Sequence, residues 1–391
     1  MEPASDRAFA MARELMRDFA GRTGLAGNGA ASQRYLWTDA FAVCNFLGLY
    51  TQSGDATFLD LALELVDQVH HILGRHREDD PRSGWISGLG EQAGEQHPTA
   101  GGLRIGKPLN ERGPDAPWDE ALEWERDGQY FHYLSKWMHA LNRVSRVTGR
   151  PVYHVWAAEL AQTAVGRFVY RFPADGSRRM YWKMSIDLSR PLVPSMGQHD
   201  PLDGCITCSE IQYCRPAGAG PAPDLQDAIA LLESICLGRN WVTDDPLGLG
   251  GILVDAWRLA QLVRCGGPLR AGLLAQLLKE APVGLAAFVH SGRLQLPAAY
   301  RLAFRELGLS IGLRAVGRLR QALEEETASP LRSEQMHAAA SVLSGYLSLA
   351  DRIEAFWLEP ASQAVDTWDG HRDINGVMLA TSLMPDGFLT L

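Results

Sequence analysis

One local pattern recurs along the chain and limits what it can fold into: helix, glycine turn, helix. Residues 36–52 read LWTDAFAVCNFLGLYTQ, followed by SGDATF and a second apolar stretch over 56–75. In that stretch Phe58, Leu59, Leu61, Ala62, Leu65, Val66, Val69, Ile72 and Leu73 repeat with a period near 3.6, which predicts a helix with a wide apolar stripe. Gly54 ends the first helix and Asp55 caps the second. The pattern returns at 127–147 (DGQYFHYLSKWMHALNRVSRV), TGRPVY and HVWAAELAQTAVGRFVYRF, where Gly149 takes the place of Gly54 and Pro151 suits a first helical turn. A weaker copy spans 204–214 and 224–239 across a Pro/Gly-rich break at 216–223. Another reads LGLGGILVDAWRLAQLVR, CGGP, LRAGLLAQLLKEAPVGLAAFV, and a further one covers 299–325 and 335–357 across TASPLRS. A first helix over 5–21 and a short one near 375–383 complete the last pair.

The expected fold is all-α: about twelve helices in roughly six hairpins, closed into an (α/α)6 toroid. An open solenoid of helical hairpins is the alternative, but the repeat is irregular and the long loops carry Trp, His and Asp. In a toroid of this kind short turns gather at one end and long loops at the other. The hairpins quoted above, with aromatic-acid clusters such as YLWTDAF (35–41), make the chain similar in architecture to the six-hairpin toroid enzymes. These include unsaturated glucuronyl hydrolases, inverting glycosidases and N-acylglucosamine 2-epimerases. The resemblance spans the whole chain and implies an open bowl lined by long loops and inner-helix ends. The Trp-Cys-x-Gly and Cys-His-Gly motifs of lanthionine cyclases and the DDxxD run of terpene synthases are absent.

At 391 residues the chain allows one large domain or two ordinary ones, and we expect one, 1–391, with the polar, turn-rich stretch 76–117 as a long loop or lid. The net charge of −9 argues against a nucleic-acid partner. No run of 18 or more apolar residues suggests a membrane span. The opening MEPASDRAFAMARELMRDFAG lacks the pattern of a secretory leader, so a cytoplasmic location is expected. On that footing disulfides are not expected, and Cys44, Cys236 and Cys265 read as core residues. Cys205, Cys208 and Cys214 form a CxxC with a third cysteine. A zinc site would need a fourth ligand from His199 or Asp203, so no metal and no cofactor is assigned. GLGGIL and TAGGLRIGK have neither phosphate-loop spacing nor a preceding strand.

Five segments are candidates for the bowl. Trp37 and Asp39 begin an inner helix, where an acid also suits the helix dipole. Residues 119–137 (DEALEWERDGQYFHYLSKW) crowd Glu125, Asp127, Gln129, Tyr130 and His132 at a helix entrance, with Asp127 as its cap and Tyr133 and Trp137 as a core stripe. Residues 180–204 hold Trp182 and Arg190, then SMGQHDPLDG with His199 and Asp200. A carboxylate beside an imidazole can orient it and raise its basicity. Asp203 is expected to cap a helix starting near 204. At 240–251 Asp245 is the expected cap of the next helix. The stretch 365–377 (VDTWDGHRDINGV) gathers Trp368, Asp369, His371, Arg372 and Asp373, the last as a cap.

Aromatic faces stack on pyranose rings while Asp, Glu, Arg and Asn bind hydroxyls, so these residues suit a small-molecule or oligosaccharide substrate. The leading expectation is a glycoside hydrolase, with its acid and base drawn from Glu125, Asp127, Asp39 and Asp200. A sugar epimerase or isomerase would use His132, His199 and His371, the paired-histidine chemistry that the epimerase resemblance implies. A toroid acting on a prenyl or natural-product substrate and a non-catalytic helical scaffold complete the alternatives, because fold does not fix function.

Overall fold

A computed structural model describes residues 4–27, 33–216, 218, 221–268, 270–325 and 334–391. The chain divides into two compact units, one of residues 20–237 and one of residues 1–19 with 238–391. Helix α1 (Ala4–Arg22) runs across the boundary in sequence.

The first unit is built from three hairpins. α2 (Leu36–Ser53) and α3 (Ala56–Leu73) pack together, as do α6 (Phe131–Thr148) and α7 (Pro151–Phe168), and α8 (Asp200–Tyr213) and α9 (Gln226–Cys236). Short α4 (Glu91–Gln96) and α5 (Glu120–Glu125) lie between the first two hairpins. α6 packs between α2 and α8, so these three are the inner helices. Their composition explains it: α2 is buried almost all round from Leu36 to Leu47, whereas α3 buries only one stripe, Phe58, Ala62, Leu65, Val66, Val69 and Leu73. Gly54 and Gly149 end α2 and α6 at φ 71° and 70°, a left-handed turn that glycine adopts without steric cost. Asp55 caps α3 by accepting from the Thr57 amide at 3.0 Å.

Short strands join the hairpins. β1 (Gln129–Tyr130), β4 (Lys183–Met184) and β5 (Pro191–Val193) form one antiparallel sheet in the order β1-β4-β5. β2 (Val169–Arg171) pairs with β3 (Arg178–Met180). The polar stretch 76–117 is pinned along its length. Leu103 and Ile105 are buried, the Leu103 amide donates to Gln129 Oε1 at 2.9 Å, and the Thr163 hydroxyl on α7 donates to the Ala100 carbonyl at 3.0 Å.

The second unit holds α10 (Pro246–Arg264), α11 (Ala271–His290), α12 (Ala303–Glu325), α13 (Glu334–Ser344), α14 (Ser348–Leu358), α15 (Pro360–Gln363), α16 (Asp366–Asp369), α17 (Arg372–Leu383) and α18 (Asp386–Leu389). α12 packs against α10, α13, α14 and α17. The helix expected over 335–357 is two, α13 and α14, separated at Gly345. α11, 20 residues long, is apolar enough by composition to cross a bilayer, but it carries Lys279 and Glu280 and buries Leu274, Leu277, Leu278, Ala281, Leu285 and Phe288 on one side. Asp245 caps α10 through the Gly248 amide at 2.9 Å. Asp245→Ala is therefore expected to cost about 1 kcal/mol, read as a lowered melting temperature. Arg305, which donates to the same carboxylate at 2.7 Å, adds to that loss.

Three expectations about helix ends need correction. α8 begins at Asp200, not near 204, because Pro201 sits in its first turn, where a missing amide costs nothing. Asp203 instead ties α8 to α6, accepting from Lys136 Nζ at 2.6 Å and from the Ser135 hydroxyl. Asp127 does not cap α6, whose N-cap is Tyr130, and Asp373 lies inside the first turn of α17, whose N-cap is His371.

Candidate functional site

The first turns of α2, α6 and α8 meet. Tyr35, the N-cap of α2, shares a hydrogen bond with Tyr133 of α6, oxygen to oxygen 2.6 Å. His132 of α6 faces Asp200, the first residue of α8, with Nδ1 3.8 Å from Oδ1. Around them the rings form one continuous wall. Tyr133 touches Tyr35, Trp37 and Tyr130 at centroid distances of 5.5, 6.5 and 5.1 Å. Tyr130 stacks on His132 at 5.2 Å and leans on Trp182 at 5.3 Å, and Trp182 meets Trp124 edge-on at 5.1 Å. Trp124 is 47% exposed, so the wall runs from the core out to solvent. Sheet pairing places it: Tyr130 pairs with Lys183, beside Trp182.

The His132–Asp200 pair is held in an unusual state. Gly197 makes room for the acid, since a Cβ there would stand 2.6 Å from its carboxylate. Burial pushes the Asp200 carboxyl above its ordinary range, while His132 and His199 pull it partly back. Burial pushes His132 down, against the pull of Asp200. His132 Nδ1 and Asp200 Oδ2 are buried without a hydrogen-bond partner among the described residues. A buried polar atom of this kind costs free energy unless something satisfies it, and here two such atoms sit on residues that face each other. An acid biased toward its protonated form beside an imidazole biased toward its neutral form can give or exchange a proton.

The other carboxylates divide sharply. Asp127 is fully buried and committed: Arg104 Nη1 donates to it at 2.9 Å, and the Gly106 and Gly128 amides at 3.0 Å each. Arg77 adds a longer contact at 3.5 Å. Asp39 accepts from the Tyr35 amide at 2.9 Å and lies 3.7 Å from Arg34 Nη1, a structural role at the start of α2. Glu125 is exposed at the end of α5, and its charge reaches Tyr35 and Lys107. Lys107 stands 5.5 Å over the Tyr35 ring, with burial lowering its pKa. Burial also drives the Tyr35 hydroxyl up to about 12 and that of Tyr133 well above its ordinary value, so both stay protonated donors.

Other expected residues go elsewhere. Gln129 is buried and clamps the backbone of Leu103, Gly101 and Ile186. Arg190 donates to the Arg112 carbonyl and lies 3.8 Å from Glu111, which holds the loop before α8. His199 is half-buried as the N-cap residue of α8. In the second unit Trp368 is buried against Trp357 at 5.8 Å, and Asn375 holds the Phe304 amide and the Trp368 carbonyl. Asp369 and His371 are exposed, and Arg372 is exposed 3.7 Å from Asp18. Cys205 and Cys208 are buried outside any disulfide, while Cys214 and Cys265 are each disulfide-bonded, contrary to the expectation of no disulfides. Among the described residues no group of three or more His, Cys, Asp or Glu is arranged to hold a metal ion.

Sequence reasoning missed Tyr35 and Lys107 and assigned Tyr133 to the core. Only its spacing from Tyr130 pointed toward the wall. Glu123 and Lys183 lie in two of the candidate segments but were given no role there. The Lys183 ammonium donates to Glu123 Oε1 at 2.9 Å and to the Glu123 and Arg126 carbonyls, fixing the strand that carries Trp182.

No family model matches the chain, and no curated protein matches it. Among solved structures, the chain is similar to a GH76 α-mannanase of Bacteroides thetaiotaomicron. The match has a TM-score of 0.57 and 8% identity, covering 97% of this chain and 96% of that one. A sugar epimerase from a ruminal bacterium matches at a TM-score of 0.42 and 10% identity, covering 81% and 75%. The fold is thus an all-α (α/α)6 toroid. At such identity the likeness concerns the fold alone.

Proposed function

We propose that the protein is a carbohydrate-active enzyme whose sugar-binding face is the aromatic wall at the first turns of α2, α6 and α8. The observation that carries this reading is the wall's closure by the His132–Asp200 pair. Pyranose rings present C–H faces to indole and phenol rings, and their hydroxyls need donors and acceptors at the edge. The α-mannanase of similar fold makes α-linked mannosides the first substrates to try.

The reaction best matched to the acids is glycoside hydrolysis. With Asp39 and Asp127 committed to structure, Asp200 and Glu125 are the pair that stays free to act. Asp200, biased toward its protonated form, donates a proton to the departing glycosidic oxygen as that bond breaks. Glu125 takes a proton from the water whose oxygen bonds to the anomeric carbon. A second reading rests on the 3.8 Å His132–Asp200 contact. In it His132 takes the proton from the carbon next to the carbonyl of an open-chain sugar and returns it to the carbonyl carbon, while Asp200 gives a proton to the carbonyl oxygen and recovers one from the neighbouring hydroxyl, so that a free monosaccharide is isomerised with no net change in protons.

The test is incubation with α- and β-linked oligosaccharides and with free monosaccharides, following reducing ends and sugar interconversion. Release of reducing ends supports hydrolysis, and interconversion without cleavage supports the second reading. Trp182→Ala should raise KM about tenfold by removing one stacking face. Absence of both reactions and of any sugar binding would sink the proposal.

A further inference from the structure

The same unit carries a second pocket on its outer side, built from residues that the wall does not use. It lies between α3 and α7 and is closed by the 85–98 segment. Leu63, Val66, Tyr153, Trp156 and Trp85 form its sides, with His70 among them and Asp67, His71 and Glu95 also lining it. Its volume is about 70 Å³. That admits about two water-sized groups, enough for the edge of a ring but not a whole one.

The pocket is constructed rather than left over. Trp85 is 3% exposed and fits against glycines that allow no side chain: a Cβ on Gly94 would stand 2.2 Å from its indole, and one on Gly74 3.1 Å. The Trp156 indole is fixed by donating to the Gln96 carbonyl at 2.8 Å. His71 joins α3 to α4 through Glu95 at 3.0 Å.

His70 gives the pocket a polarity. It is 3% exposed, and Trp137 Nε1 donates to its Nε2 at 3.1 Å. Because the indole can only donate, Nε2 must be the acceptor, and the ring proton sits on Nδ1. Burial holds the ring neutral, with its pKa pushed down to about 3, so this tautomer persists at any ordinary pH. Nδ1–H has no hydrogen-bond partner among the described residues. A donor on a residue that lines the pocket, with no hydrogen bond to the protein among the described residues, suits a ligand that brings an acceptor oxygen.

We infer that this pocket is a second, non-catalytic carbohydrate site, which takes the hydroxymethyl edge of a sugar residue. The hydroxymethyl oxygen accepts from His70 Nδ1–H, its carbon packs on Tyr153 and Trp156, and ring hydroxyls donate to Asp67 and Glu95. The choice of sugar as ligand rests on the proposed function, while the pocket's need for an acceptor on an apolar stem does not. Such a site would hold a polysaccharide against the protein while another segment is processed.

The experiment follows indole N–H resonances during titration with α-linked mannotetraose, cellotetraose and xylotetraose, each to millimolar concentration. Trp156 reports the outer pocket and Trp182 the wall. The expected result is that one tetraose shifts both, with a dissociation constant at the outer pocket on the order of 1 mM. Leu63→Trp, which fills the pocket from the outer side of α3, should abolish the Trp156 shift and leave the Trp182 shift and the melting temperature unchanged. If Trp182 responds and Trp156 does not, or if the Trp156 shift survives in Leu63→Trp, the second site is overturned and the proposed function stands. If Trp156 alone responds, the second site stands and the wall is not the sugar face. If neither responds to any of the three, both readings fall.

Discussion

Asp200→Asn should lose about 10³-fold in kcat on whichever sugar the wild-type protein turns over, while melting at a higher temperature at pH 7. Both effects have one cause. The Asp200 carboxyl is buried, and burial raises its pKa above that of the unfolded chain. Between the two values the folded state binds more protons than the unfolded state, so stability falls as pH rises through that window. The penalty begins above the unfolded value and grows with pH until the folded carboxyl is fully ionised, so it is present at pH 7. Asparagine keeps the shape and carries no charge, so the melting temperature should rise by about 2 °C or more at pH 7. The gain should vanish below about pH 4, where the wild-type carboxyl is protonated in both states. The wild-type rate should fall on the alkaline side as the acid is lost. Companion variants separate the chemistries: hydrolysis makes Glu125→Gln as damaging as Asp200→Asn, whereas isomerisation makes His132→Gln so and spares Glu125→Gln. Full activity in the Asp200→Asn variant would remove Asp200 from the reaction altogether.

Much of the helical plan was legible because it is written in local signals. Gly54 and Gly149 sit in left-handed turns, Asp55 and Asp245 accept the amides that their positions predicted, and Pro151 begins α7. The site was legible only in part, because its contacts are long in sequence. His132 and Asp200 were each visible as candidates, but nothing local says that they meet. The Tyr35–Tyr133 hydroxyl pair spans 98 residues and has no periodic signature. Asp127 was misread for the same reason. Its position before α6 looks like a cap, while its real partners Arg77 and Arg104 lie 50 and 23 residues earlier in a stretch without pattern. The strands that carry Tyr130 and Trp182 are two residues long, too short for alternation to show. The start of α8 was hidden because proline between two acids reads as loop, although proline is favoured in a first helical turn.

The largest expected loss of stability lies in the second unit, where α10 and α12 touch backbone to backbone. A Cβ on Gly250 would stand 2.0 Å from the carbonyl oxygen of Gly308, and one on Gly312 would stand 2.6 Å from the Gly250 Cα. Neither neighbour is a side chain that can turn away, so a methyl group at either place must push the helices apart. Separation loosens the packing of the apolar residues that both helices bury. Gly250→Ala is expected to cost about 3 kcal/mol, although alanine is the better helix former by about 1 kcal/mol. Gly317→Ala supplies the opposite sign on α12. A Cβ there meets nothing within 4 Å and the backbone is ordinary helix, so only the propensity gain remains and stability should rise by about 0.5–1 kcal/mol. Gly250→Ala with Gly312→Ala should cost less than the sum of the two, because one separation relieves both clashes. Denaturant midpoints of the four variants decide it. Equal, small losses at Gly250 and Gly317 would mean that α10 and α12 are not in backbone contact.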